Sequence, residues 1–138
     1  AAAVGGVDQW VAPPRERLRA AAVRLVDAAV AADRDALASL LEPDARVRTR
    51  FASAEGRDRV LALTDRVPPI PSHRVRRVET DLRGPRVART HLRLSVESDL
   101  LPRSSIWTIE WRRSDAEAWR ATLIEPYWIQ GFTDPAGP

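Results

Sequence analysis

The stretch Leu40-Leu41-Glu42-Pro43-Asp44-Ala45-Arg46-Val47 decides the fold, because a helical pattern ends there and an extended pattern begins. Proline disfavours the helical conformation in the residue before it, so the preceding helix has to stop at Glu42. From Ala45 to Phe51, small or apolar residues alternate with arginines, which is typical of a strand with one buried face. The buried face of this first strand is predicted to consist of Ala45, Val47, Thr49 and Phe51.

Two helices are predicted before this junction. Pro13-Pro14 suits the first turn of a helix, where a missing N–H costs nothing, and apolar residues then recur at helical spacing as far as Val30. Asp33 or Asp35 can cap a second, short helix. Residues 1–12 show no period and are predicted to be a loose lead-in. The predicted buried side of the first helix is Leu18, Ala21, Ala22, Leu25, Val26, Ala29 and Val30.

A third helix and four strands are predicted after the junction. Ser53 opens a helix over about 55–67, whose buried side would be Val60, Leu61, Leu63 and Val67. Alternation then predicts strands over 73–82, 86–98, 104–113 and 118–126. Helices followed by a strand meander, with one strand inserted among the helices, indicate an α+β fold. We expect a single domain over 13–126 and an aromatic C-terminal tail over 127–138.

This order of elements resembles the nuclear-transport-factor-2-like (SnoaL-like) superfamily, whose fold is cystatin-like. The stretch from Leu40 to Val47 is similar to the family's junction of helix, Pro-Asp and first strand. Trp111-Arg112-Arg113-Ser114-Asp115-Ala116-Glu117-Ala118-Trp119-Arg120 is similar to its last hairpin. The resemblance covers about residues 14–126. It implies three helices packed in the concave face of a strongly bent mixed or antiparallel sheet, a cone with a pocket at its open end, and a homodimer formed through the outer sheet face.

Members of this superfamily include ketosteroid isomerases, scytalone dehydratase, epoxide hydrolases, polyketide cyclases and non-catalytic binding domains, so function has to come from the residues. The position of the isomerase base falls at Thr49, which cannot abstract a proton, and the first helix lacks the expected tyrosine donor. A dehydratase-type site would need a histidine and an aspartate paired inside the cone. Neither His73 nor His91 has an obvious partner by spacing.

Glu125 is the candidate for general acid or base. It is an even number of positions from Trp119 and Leu123 in the predicted strand, so the three side chains are expected on the same face. If those side chains point into the cone, burial would favour the neutral acid among tryptophans. The alternative is that Glu125 reaches solvent or pairs with an arginine. The predicted ligand pocket consists of Thr49, Phe51, Trp107, Trp111, Trp119 and Glu125, and its aromatic side chains fit a structural core equally well.

The composition excludes several kinds of chemistry. The 138 residues contain no cysteine and only two histidines, which rules out thiol catalysis, zinc–thiolate and iron–sulfur sites and multi-histidine metal centres. We therefore expect no metal and no cofactor. No apolar run approaches the length of a membrane span. The aromatic tail must cover something, either the pocket mouth, the first helix or a second subunit.

Charge is unevenly distributed along the chain. All 22 basic residues are arginines and the net charge is +3, yet residues 74–93 hold seven arginines against Glu79 and Asp81. This segment is either a solvated hairpin face or a patch that meets phosphate, lipid headgroups or an acidic partner. It has no interleaved aromatics, so nucleic acid is not an expected partner.

Three functional hypotheses remain open at this point. The first is a cone-fold domain that binds a small apolar or anionic ligand, or a protein partner, without a catalytic constellation. The second is a small-molecule isomerase, dehydratase or hydrolase with a site centred on Glu125. The third is an accessory domain of an envelope or secretion assembly, since the small residues Ala1 to Gly6 fit the remainder of a cleaved signal peptide or anchor. That beginning favours an extracytoplasmic location, and removal of an initiator is the alternative.

Overall fold

A computed structural model of the chain describes residues 13–49, 52–114 and 118–131. Phe51 and the predicted lead-in over 1–12 lie outside these residues. Within the described ranges, no helix combines the length and the apolar character needed to cross a bilayer. The helices are α1 (Pro14–Ala31), α2 (Arg34–Leu40) and α3 (Arg57–Thr64). The strands are β1 (Leu41–Arg48), β2 (Ser53–Glu55), β3 (Ser72–Leu82), β4 (Val87–Glu97), β5 (Ser104–Arg113) and β6 (Trp119–Ile129).

The strands form one bent, mixed sheet in the order β2-β1-β6-β5-β4-β3. All neighbours are antiparallel except β1 and β6, which run parallel. The helices pack on one face, with α1 lying against β3 and β4. This arrangement confirms the predicted α+β class. We call the helix-covered face concave and the opposite face convex.

The helix-to-strand junction forms with one difference from the prediction. The Asp33 carboxylate caps α2 by accepting a hydrogen bond from the amide of Ala36 at 3.1 Å. The strand begins at Leu41 and runs through Pro43, whereas the sequence predicted extended structure only from Ala45. Proline is tolerated there because the β1–β6 register shifts between Leu41 and Arg46, so the missing N–H falls at an irregularity of the ladder.

The segment after β1 also differs from the prediction. Ser53 begins the short strand β2 instead of capping a helix, and the helix starts only at Arg57. Gly56, with φ of 92°, makes the sharp entry into α3, a left-handed conformation that favours glycine. Val67, predicted to be buried, lies beyond the end of α3 and is exposed. The last strand continues to Ile129, three residues past the predicted end at 126.

Strand register arranges the concave face in rows that run across β3, β4, β5 and β6. The deepest row is centred on Trp111, which is 1% exposed and whose indole N–H donates to the Thr90 hydroxyl at 3.0 Å. Ala21 and Ala22 of α1 belong to the same buried core as Trp111, and their small side chains allow a close approach of helix and sheet. The deepest row is Leu82, Ala88, Trp111 and Ala121, and the next is Thr80, Thr90, Ile109 and Ile124.

Truncation of the helix anchor tests this packing. Leu18 of α1 is completely buried, so Leu18→Ala is expected to lower the free energy of unfolding by about 2–5 kcal/mol through lost burial and a residual cavity. Leu100→Ala is the matched control, because Leu100 is 73% exposed and its truncation should change stability by less than about 0.5 kcal/mol. Urea unfolding followed by circular dichroism measures both. Equal effects of the two substitutions would contradict the packing described above.

Candidate functional site

Away from Trp111, some inward-facing positions of the concave face are only partly buried. The third row is Val78, Leu92, Trp107 and Pro126, and the fourth is Val75, Leu94, Ser105 and Ile129. Trp107, Val75 and Leu94 pack against the core and are nevertheless only partly buried. Apolar side chains that face inward and still reach solvent mark an open end of the concave face. We call this end, formed by His73, Val75, Leu94, Ser105 and Trp107, the concave mouth.

Trp107 is held in place within the mouth by its neighbour along the strand. Its indole N–H donates to the Ser105 hydroxyl at 2.8 Å, and Ser105 itself is buried. This bond satisfies the polar atom of the indole and fixes the ring along β5 towards the open end. The ring of Trp107 packs against the core on one part of its surface and is exposed on the rest.

His73 and Asp27 form the polar pair of the mouth. His73 enters β3 opposite Val96 of β4, and its Nε2 lies 2.7 Å from Oδ1 of Asp27 near the end of α1. A carboxylate only accepts hydrogen bonds, so a neutral His73 donates from Nε2 and keeps Nδ1 as a proton acceptor. The sequence showed no such partner, because the two residues lie 46 positions apart on different elements. Only the packing of α1 against β3 brings the two residues together.

Glu125 lies on the convex face, contrary to the predicted alternation. Trp111 is opposite Ala121 and Ile109 is opposite Ile124, so β6 carries one more residue than β5 over this interval. Such a β-bulge moves the residues after it to the other face. Trp119 therefore belongs to the core, whereas Glu125 is opposite Thr108 on the convex side.

The surroundings of Glu125 are polar. Its carboxylate lies 3.4 Å from the Arg48 guanidinium, so it pairs with an arginine, which is the alternative left open above. Thr108 shares a hydrogen bond of 3.1 Å with Nδ1 of His91, whose ring meets Tyr127 edge-on at 5.7 Å. These groups link four strands in a hydrogen-bonded and ion-paired row across the convex face.

The other predicted pocket residues are not brought together at one site. The amide and hydroxyl of Thr49 both donate to the Ala52 carbonyl at 2.8 Å, which closes the loop between β1 and β2. Trp111 and Trp119 are core residues, and the indole nitrogen of Trp119 has no hydrogen-bond partner within the described part of the chain. Only Trp107 of the predicted set reaches the mouth, and Phe51 lies outside the described residues.

A second concavity lies where β1, β2, β5 and β6 meet. It has a volume of about 570 Å³ and is lined by Asp44, Arg46, Glu55, Gly56, Glu110, Arg112 and Thr122. Its charges are balanced, because Arg112 lies 3.7 Å from Asp44 and Arg89 lies 2.8 Å from Glu110. No cluster of three potential metal ligands occurs in the residues for which the structure gives positions.

Comparison with known proteins identifies the fold. No protein-family profile matches the sequence, and no curated protein matches it significantly. An NTF2-like protein with a cystatin-like fold from Novosphingobium aromaticivorans is 24% identical, with a TM-score of 0.65 over 86% of this chain and 83% of that one. A hexachlorocyclohexane dehydrochlorinase from Novosphingobium barchaimii is 14% identical, with a TM-score of 0.69 over 86% and 88%.

A third similar structure is the CaMKII hub of S. rosetta, which is 15% identical with a TM-score of 0.66 over 84% of this chain and 97% of that one. These likenesses agree with the fold implied by the sequence resemblance. At such identities they establish the fold and leave the function open.

Proposed function

Starting from the NTF2-like, cystatin-like fold that this chain adopts, we propose that the protein binds a small apolar molecule at the concave mouth. The observation that carries this proposal is the partial exposure of the inward-facing apolar side chains Val75, Leu94 and Trp107, in contrast to the fully buried Trp111. Covering these side chains would remove apolar surface from water, which is favourable by about 25 cal/mol per Å².

The lining of the mouth indicates the chemistry of the ligand. Trp107 offers a flat ring, and Val75 and Leu94 offer aliphatic surface across the strands. His73, held by Asp27, is the polar group available at the rim. A flat hydrophobic molecule with one hydroxyl or carbonyl group fits this combination, because a single hydrogen bond orients it while apolar contact provides affinity.

A charge placed in the mouth tests the proposal. Leu94→Glu is expected to weaken binding of the neutral apolar dye Nile red, measured by fluorescence titration, by at least about tenfold, because ligand binding would then desolvate a carboxylate. Val87→Glu is the control on the same strand, since Val87 is exposed at the opposite end of β4. If both variants keep the unfolding midpoint of the wild type, binding of the dye to unfolded protein is excluded. Equal dye affinity in both variants would refute the site.

A second candidate function, proton abstraction from a bound substrate, is favoured by the His73–Asp27 pair. Nδ1 of His73 would take the proton, and the Asp27 carboxylate would hold the ring and stabilise the imidazolium that forms. The dehydrochlorinase named above catalyses an elimination, and the same type of step suits this pair. A reaction centred on Glu125 has less support, because Glu125 is paired with Arg48 on the other face.

Ring opening of 5-nitrobenzisoxazole, in which a base removes one C–H proton as the N–O bond breaks, tests this candidate. We expect the protein to accelerate the reaction above buffer and His73→Gln to reduce the rate by about 100-fold or more, with a smaller loss for Asp27→Asn. His91→Gln is the matched control, because His91 lies on the convex face. No rate above buffer, or equal losses in the two histidine variants, would exclude His73 as a base.

We also propose that the chain forms a homodimer through the part of the convex face that belongs to β1, β5 and β6. Tyr127 is 62% exposed there, and the neighbouring charges are already matched in pairs such as Arg48–Glu125. A two-fold axis brings the same surface of two copies together, so a face with matched charges avoids self-repulsion. An extracytoplasmic location stays a prediction of the sequence.

Sedimentation velocity tests the dimer. Tyr127→Glu is expected to convert dimer to monomer, because it places two carboxylates near the symmetry axis. Leu100→Glu, which alters an exposed apolar residue outside these strands, should leave the dimer intact. A wild-type protein that sediments as a monomer at all accessible concentrations would overturn the proposal.

A further inference from the structure

A β-bulge in β3 places two consecutive arginines on the convex face. Val75 is opposite Leu94 and Arg77 is opposite Arg93, so β3 carries one extra residue, Arg76, at this point. Unbroken alternation from Val75 would have turned Arg77 into the concave face. Instead Arg77 shares the convex side with Arg93, and Arg76 reaches the same side, where its Nε donates to the Ser95 hydroxyl at 3.2 Å.

The bulge completes a cluster that we call the arginine patch, which consists of Arg74, Arg76, Arg77 and Arg93. Arg77 and Arg93 are directly opposite in the register, an arrangement that is destabilising for like charges. Two carboxylates, Glu79 and Glu97, belong to the same region. Glu79 is bound to Arg77 at 2.8 Å, and in the described part of the chain neither Arg74 nor Arg93 has an acidic partner within ion-pair distance.

The rest of the convex face is organised differently. Arg48, Arg89 and Arg112 each lie within 4 Å of a carboxylate, and so does Arg83 at the end of the β3–β4 hairpin. Arg120, which is opposite Arg112, has no acidic partner among the described residues, so an unmatched arginine also occurs outside the patch. The arginine patch differs from the rest of this face because it holds four arginines on two adjacent strands, β3 and β4.

We propose that the arginine patch binds a ligand carrying two or more phosphate groups. Guanidinium groups are planar and donate two parallel hydrogen bonds to a phosphate, so several of them on adjacent strands can bind neighbouring phosphates. The hydroxyls of Ser95 and Ser104, opposite each other on β4 and β5, add neutral donors beside the patch. A bound anion also removes the repulsion between Arg77 and Arg93. This site lies on the other face of the sheet from the concave mouth and does not depend on it.

Calorimetric titration with inorganic pyrophosphate at low ionic strength tests the patch. We expect Arg77→Gln and Arg93→Gln each to weaken binding by about tenfold, because each removes a charge-assisted contact. Arg48→Gln and Arg112→Gln are matched controls on the same face and should bind as the wild type does. Pyrophosphate should raise the thermal midpoint of the wild type more than that of Arg93→Gln. All four are surface substitutions, and circular dichroism verifies that the variants are folded.

Two further probes separate the sources of phosphate. The first probe is co-sedimentation with phosphatidylcholine vesicles that contain phosphatidic acid. Binding to these vesicles without binding to pyrophosphate identifies a lipid as the source of phosphate. Binding to pyrophosphate without binding to the vesicles identifies a soluble ligand. Both results support the site provided that the Arg77 and Arg93 variants lose binding. Equal losses in the control variants would overturn the proposal as non-specific charge attraction. The second probe is a hexaglutamate peptide, and tighter binding of this peptide than of either phosphate probe would overturn the proposal in favour of an acidic protein segment. The absence of binding to all three probes would also overturn the proposal.

Discussion

The contact between α1 and the concave face is the constraint on which the rest of the structure depends. An 18-residue helix is about 27 Å long, whereas an 11-residue strand extends over about 36 Å. One helix therefore cannot cover the whole length of β3 and β4. Its buried side belongs to the same core as Trp111, whose buried indole N–H is satisfied by the Thr90 hydroxyl. Asp27, near the end of the helix, reaches His73 at the concave mouth, where several inward-facing side chains are only partly buried.

The two faces of the sheet separate two kinds of chemistry. The concave face is apolar, with the His73–Asp27 pair at its rim, and the convex face carries ion pairs and the arginine patch. This separation follows from the pleat, because neighbouring residues of a strand point to opposite faces. An apolar ligand and a phosphate-bearing ligand could therefore bind the same sheet without competing for a side chain.

Bulges in β3 and β6 decide which residues of these strands belong to which face. In β6 the bulge after Ala121 carries Glu125 to the convex side, away from Trp119 and towards Arg48. In β3 the bulge at Arg76 keeps Val78 in the core and turns Arg77 outward beside Arg93. Each extra residue reverses the alternation, because the side chains of a strand repeat with a period of two. The outward position of Glu125 and the arginine patch are both consequences of these single insertions.

The sequence by itself determined the fold class and the order of the elements apart from β2, since helical spacing in 14–30, the stop near Pro43 and the alternation of 104–113 are local patterns. It also placed Trp107 and Trp111 on the core side of β5. Only the tertiary structure decided that His73 meets Asp27 and that Glu125 faces outward. The first is a contact between distant elements and the second depends on register against a neighbouring strand. Neither leaves a trace in local periodicity, because a bulge or a helix–strand contact is set by packing between segments.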